Sequence, residues 1–65
     1  MPIYNDIKNM RLKKNVTQEQ LADAVKVSRQ TIVAIEKGNY TPSLALALAL
    51  GSFFKISVEE LFYVK

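Results

Sequence analysis

Residues 44–50 read LALALAL, and no other stretch restricts the fold so tightly. The period of two suits a strand and the hydrophobicity suits a membrane span, but the residue types suit a helix. Leucine and alanine are among the strongest helix formers, and alanine is poor in strands. A start signal stands in front of the run. Thr41 precedes Pro42, which biases it to extended backbone, and Ser43 is a good N-cap. The spacing therefore predicts a helix over about 44–54. On it Leu44 and Leu48 share one face, and Leu46 and Leu50 share another, near Ala47 and Phe54. A helix apolar on nearly every side must be covered on nearly every side, by the rest of the chain or by a second copy. The run is internal and seven residues long, whereas a membrane helix needs about 20. The opening MPIYNDIKNM has no apolar stretch of secretory length. The expectation is a cytoplasmic protein with no membrane partner.

The remaining segments also read as helices with legible ends. Asn5 or Asp6 can cap a helix carrying Ile7, Met10, Arg11 and Leu12, which NVT at 15–17 breaks. Thr17 and Gln20 form a capping box, and Leu21, Ala22 and Val25 share a face behind it. Ser28 is placed to cap a helix that turns Ile32 and Ile35 inward and ends near Lys37, followed by the loop GNYTP. Ser57 and Glu60 form a second capping box, opening a short helix with Val58, Leu61 and Phe62. The β-prone ends, PIY at 2–4 and FYVK at 62–65, can pair with each other. The result is an all-α, five-helix domain spanning residues 1–65.

A chain of 65 residues buries only about 60% of its unfolded surface and is marginal alone. Small domains lean on disulfides, metals or association, and this chain has no cysteine and no histidine. Self-association is the route left open, with no metal and no cofactor. The same composition removes thiol nucleophiles, imidazole bases and the usual zinc ligands, so no catalytic residues are assigned and an enzyme is not expected. The net charge of +3 is unevenly spread. Residues 1–40 carry seven Lys and Arg against four acids, while residues 41–65 carry two of each. The excess sits in the first part, as a polyanion-binding surface requires.

Two short helices at about 18–25 and 29–36, joined by a tight turn, have the spacing of a helix-turn-helix. Here TQEQLADAVKVSRQTIVAIEKGNYTPSL, continuing through LALALGSFFKISVEELF, resembles the helix-turn-helix regulators of the Cro/phage-repressor type. The likeness covers nearly the whole chain and implies a lambda-repressor-like DNA-binding domain. Two departures stand out. Lys26 occupies a turn position where the family often has glycine, and Ala45, Ala49 and Phe53 make the fourth helix unusually apolar.

The resemblance implies roles residue by residue. Arg29 and Gln30 begin the second motif helix, whose first side chains enter the major groove. Arg suits guanine and Gln suits adenine. Thr31 and Ala34 occupy the same region; Thr31 suits a phosphate or a thymine methyl, and Ala34 a methyl. Gln18 matches a position that contacts phosphate and braces residue 30. Lys37, Asn39, Thr41 and Ser43 fall in a backbone-contacting region, although Lys37 also suits a helix C-terminus as a dipole partner. Arg11 and Glu36 match positions that form an ion pair between the first and third helices.

The function so implied is a sequence-specific DNA-binding transcriptional regulator, a repressor acting as a homodimer on a two-fold operator in double-stranded DNA. The rival is an antitoxin-type interaction protein with DNA binding secondary. For the homodimer, Phe53, Val58 and Leu61 are expected at the interface, with Leu46 and Leu50 in the core of each chain.

Overall fold

The computed structural model describes residues 2–65. In chain order the elements are β1 (Ile3–Asn5), α1 (Ile7–Lys13), α2 (Gln18–Val25), α3 (Arg29–Glu36), α4 (Leu44–Phe54), α5 (Val58–Leu61) and β2 (Phe62–Val64). The all-α reading and the pairing of the two ends are both borne out. β1 and β2 run antiparallel, with Ile3 opposite Val64, Tyr4 opposite Tyr63 and Asn5 opposite Phe62. The two tyrosine rings stack across the strands at 6.1 Å between centroids.

Each of the four N-caps read after α1 closes as its residue type dictates. Thr17, Ser28, Ser43 and Ser57 accept from the backbone N–H three residues on, and Gln20 and Glu60 complete the two capping boxes. At α1 the N-cap is Asp6, whose side chain makes no capping bond. Asn5 satisfies that end instead, its Oδ1 accepting from the Ile7 N–H at 3.2 Å.

The helices also stop alike. At the ends of α1 to α4 one residue turns left-handed: Asn15, Lys26, Gly38 and Lys55, with φ of 55°, 63°, 80° and 60°. In each case the next N–H closes back on a carbonyl five residues earlier: Val16 on Arg11, Val27 on Ala22, Asn39 on Ala34 and Ile56 on Gly51. This six-residue closure satisfies carbonyls that a helix end otherwise leaves bare. Only one of the four positions is glycine.

One core joins all five helices. Ile7, Leu21, Ala22, Ile32, Ile35, Leu50, Phe54 and Leu61 are buried together, each large side chain contributing about 1.5–3 kcal/mol relative to exposure. α4 reaches the α4–α5 turn closely at Gly51, where a Cβ would stand 2.9 Å from the Ile56 carbonyl oxygen.

One expectation needs correction here. Leu61 has no exposed surface; α5 presses it into the core of its own chain, so it has nothing to offer an interface. Within a single chain α4 is covered on one flank alone. Leu44 is 73% and Leu48 55% exposed, because the other helices pack only on the flank of Ala47, Leu50, Gly51 and Phe54. Leu46 is half-buried against the core and Leu50 lies within it. Phe53 stands nine residues from Leu44, which at about 100° per residue places the two on opposite flanks of α4. Val58 shares a cleft with Leu44 and Ala47, so Phe53 and Val58 flank α4 from different sides.

Candidate nucleic-acid interface

The α2–α3 unit is held by its turn and its core anchors. Lys26 takes the left-handed conformation that reverses the chain, and Ala22, 1% exposed, has no side chain long enough to hold the helices apart. Ile32 and Ile35 pin α3 to the core. The opposite face of α3 then turns outward, with Gln30 exposed and Val33 and Ala34 half-buried. Lys37 follows on the same outward side.

The four groove-facing candidates do not share one direction. Gln30 and Ala34, four residues apart, lie on the outward face. Arg29 is exposed but lies seven residues before Glu36, on the flank that faces α1 and the start of α2. Thr31 is half-buried on the other flank. Its hydroxyl lies 3.0 Å from that of Ser28, so it takes part in the N-cap.

Beneath this surface lies a buried ionic network. Arg11 Nε donates to Glu36 Oε2 at 2.8 Å and Nη2 to Oε1 at 3.2 Å. The third nitrogen, Nη1, donates to the Val16 carbonyl at 3.1 Å. Gln18 Nε2 adds a bond to Glu36 Oε1 at 3.1 Å. The two charged side chains are only 10% and 6% exposed. The bond to Glu36 raises the Arg11 guanidinium above its ordinary value, against the opposing effect of burial. Burying charge is tolerable only when every polar atom is satisfied. Among the described residues no buried side-chain nitrogen or oxygen lacks a partner.

The network ties α1, the start of α2 and the end of α3 into one unit. It also redirects Gln18, whose amide hydrogen-bonds Glu36 where the resemblance implies a brace on Gln30. A second tie lay outside the sequence reading. Asn5 Nδ2 donates to the Ile35 carbonyl at 2.9 Å, fixing the end of α3 to β1. The one sequence signal at Asn5 was its capping propensity, which is spent locally on Ile7.

Lys37, Asn39, Thr41 and Ser43 are exposed along the α3–α4 connection. Ser43 Oγ is engaged as an N-cap, accepting from the Leu46 N–H at 3.1 Å. Tyr40 is 49% exposed. Among the described residues no cluster of acids is arranged to hold a metal ion, and no helix is long and apolar enough to cross a membrane.

The arrangement offers an outward helix face, exposed cations and a rigid base, and the chain is similar to known proteins in sequence and fold. The Helix-turn-helix family model (HTH_3) matches residues 7–61. An uncharacterised HTH-type transcriptional regulator of Methanocaldococcus jannaschii is 52% identical over 58 residues, 89% of this chain and 88% of the relative. Another, YgzD of Bacillus subtilis, is 43% identical over 61 residues, 94% of this chain and 92% of the relative. The crystal structure of the restriction-modification controller protein C.AhdI from Aeromonas hydrophila is similar, with a TM-score of 0.76 and 28% identity. That match covers 83% of this chain and 82% of the other.

Proposed function

The chain belongs to the Cro/phage-repressor-type helix-turn-helix family of transcriptional regulators, which bind DNA and are not enzymes, and on that premise we propose that it is a sequence-specific repressor. It binds a two-fold operator in double-stranded DNA as a homodimer. The observation that carries this is the outward face of α3. Gln30 stands free there on a helix whose other face is locked to the core by Ile32 and Ile35.

In this reading α3 enters the major groove. Gln30 offers its amide to adenine N6 and N7, Ala34 and Thr31 meet methyl groups, and Arg29 reaches guanine or the adjoining phosphate. Gln18, Lys37, Asn39, Thr41 and Ser43 hold the strands on either side of the groove and fix register without reading sequence. Repression needs nothing beyond occupancy: a domain seated on promoter DNA competes with polymerase for the same sites.

The homodimer reading rests on α4. Leu44 and Leu48 leave an apolar strip in solvent, continuous with the cleft of Ala47, Val58 and Phe62. Molecular extents of 29 × 22 × 20 Å suit two copies side by side with α3 helices about 34 Å apart, one turn of DNA. The same bare strip favours the second reading, an antitoxin-type protein that covers it with a partner. Footprinting of the purified protein on the promoters of its own and neighbouring genes tests the first reading, with a transcription assay for the sign. A protected two-fold site and reduced transcript are expected. Absence of any protected site, with a stoichiometric protein partner on purification, would favour the second.

A further inference from the structure

Asn5 stands where the terminal ribbon meets two helices. Its Oδ1 accepts from the Ile7 N–H at 3.2 Å, at the start of α1, and its Nδ2 donates to the Ile35 carbonyl at 2.9 Å, at the end of α3. The two partners fix which amide atom is which, since an N–H must meet the oxygen and a carbonyl the nitrogen. Across the ribbon Asn5 pairs with Phe62, and the next N–H, of Asp6, donates to the Leu61 carbonyl at 3.0 Å. Asn5 and Ile3 share one face of β1. Ile3 and Phe62 border the apolar cleft of Leu44, Ala47 and Val58 on one side, and with Asn5 they line a small cleft against Ile35 and Gly38 on the other. The ribbon thus runs from the strip proposed to join two copies to the end of α3.

We propose that Asn5 is a positioning residue for operator binding. Through its bond to Ile35 it fixes the angle of α3 to the face where two copies meet, and so the separation of the two α3 helices on DNA. The inference rests on the homodimer reading of the previous subsection and deepens it. Three observations carry it. The bond joins residues 30 apart in the chain, and among the described residues it is the one side-chain hydrogen bond from the ribbon to α3. The Ile35 carbonyl already accepts from the Gly38 N–H at 2.9 Å, so the helix end is closed without Asn5 and the added bond bears on orientation. Ile32 and Ile35 decide which face of α3 turns inward, but apolar contact is non-directional, and the Asn5 bond supplies the direction. A preset angle lowers the ordering cost of seating two helices at once. It does nothing for one helix on one half-site.

The test uses a two-fold site enriched from a random-sequence pool by the wild-type protein, the same site with a single base pair added or removed between its halves, and one half-site alone. Enrichment of a half-site without a two-fold repeat would remove the homodimer reading, and the proposal with it. An added base pair moves the halves apart by about 3.4 Å and turns one about the axis, so the wild type should bind the shifted sites far more weakly. Asn5→Asp and Asn5→Ser keep an acceptor for the Ile7 N–H and lose the donor to Ile35. Both should bind the half-site as the wild type does. On the intact two-fold site each should lose about five-fold per chain, or about 25-fold for a dimer. The penalty for the shifted sites should shrink in both. Variants that bind the two-fold site as tightly and discriminate spacing as sharply as the wild type would overturn the proposal. So would a wild type indifferent to the added base pair. Variants that lose half-site binding in equal measure would overturn it too, since the bond would then support the domain as a whole and not the spacing.

Discussion

Arg11 and Glu36, 25 residues apart in the chain, face each other through two hydrogen bonds of 2.8 and 3.2 Å in a nearly dry interior. Such a pair adds little over an apolar replacement, but removing one partner strands a buried charge at a cost of about 3–5 kcal/mol. For a domain this small that approaches the whole stability. Arg11→Met should therefore unfold at much lower urea, Glu36→Gln should do so more mildly, and the double variant Arg11→Met/Glu36→Leu should recover much of the loss. DNA affinity should follow the folded fraction. A well-folded Arg11→Met protein without DNA affinity would instead put Arg11 at the DNA.

Lys26 is held at φ 63° and ψ 44°, a conformation that costs a side-chain-bearing residue about 1 kcal/mol relative to glycine. Lys26→Gly should raise stability by about that amount, or about 4–8 °C in Tm for a domain of this size. Thermal unfolding followed by circular dichroism checks it. A Tm equal to or below that of the wild type would mean that the lysine stem contributes packing that outweighs the backbone.

The N-caps and the type of every helix were legible because their causes are local. A hydroxyl three residues ahead of a free N–H acts wherever it stands, as Thr17, Ser28, Ser43 and Ser57 do. The inward faces of α2 and α3 followed from period alone. Leu61 did not, because α5 has four residues, too few for periodicity to separate inside from outside. The bare side of α4 was illegible for a related reason: leucine on all sides hides which side the neighbours cover. The ties from Asn5 to Ile35 and from Gln18 to Glu36 span 30 and 18 residues. They depend on where α3 lands after folding.

Glu60 accepts from the Ser57 N–H at 3.0 Å, and this bond, with that of the Ser57 hydroxyl, holds its carboxyl below the ordinary 4.5. A depressed carboxylate contributes stability that is complete above its unfolded value and is lost as pH falls through the lower folded value. The loss at this cap should therefore begin below pH 4.5. An NMR titration of the Glu60 side chain should give a midpoint below that of a free glutamate, and Ser57→Ala should move it upward. An unchanged midpoint in Ser57→Ala would leave the backbone N–H as the sole cause.

Gln30 and Lys37 share the outward side of α3 and its end, yet the proposed roles differ in kind. Gln30→Ala should cost about 1–3 kcal/mol on the preferred site and little on random DNA. Lys37→Ala should weaken binding to every sequence alike and flatten the salt dependence. Competition titrations at several salt concentrations separate them. Equal losses from Gln30→Ala on both kinds of DNA would remove Gln30 from the readout.

Leu48 and Leu61 are both apolar residues of the C-terminal half, but one is 55% exposed and the other not at all. Their substitutions should part accordingly. Leu61→Ala opens a cavity among Ile7, Leu50 and Phe54 and should cost about 2–5 kcal/mol at any protein concentration. Leu48→Glu places a charge in solvent on a single chain, so it should fold as a monomer. Within a dimer the same charge would be desolvated against an apolar partner strip. Leu48→Glu should therefore abolish self-association while leaving the helical spectrum intact. It should also bind a two-fold site far more weakly, since each chain then holds one half-site alone. Analytical ultracentrifugation at tens of micromolar decides it. A wild-type monomer, or a Leu48→Glu protein that still sediments as a dimer, would show that the strip along Leu44 and Leu48 is not where two copies meet.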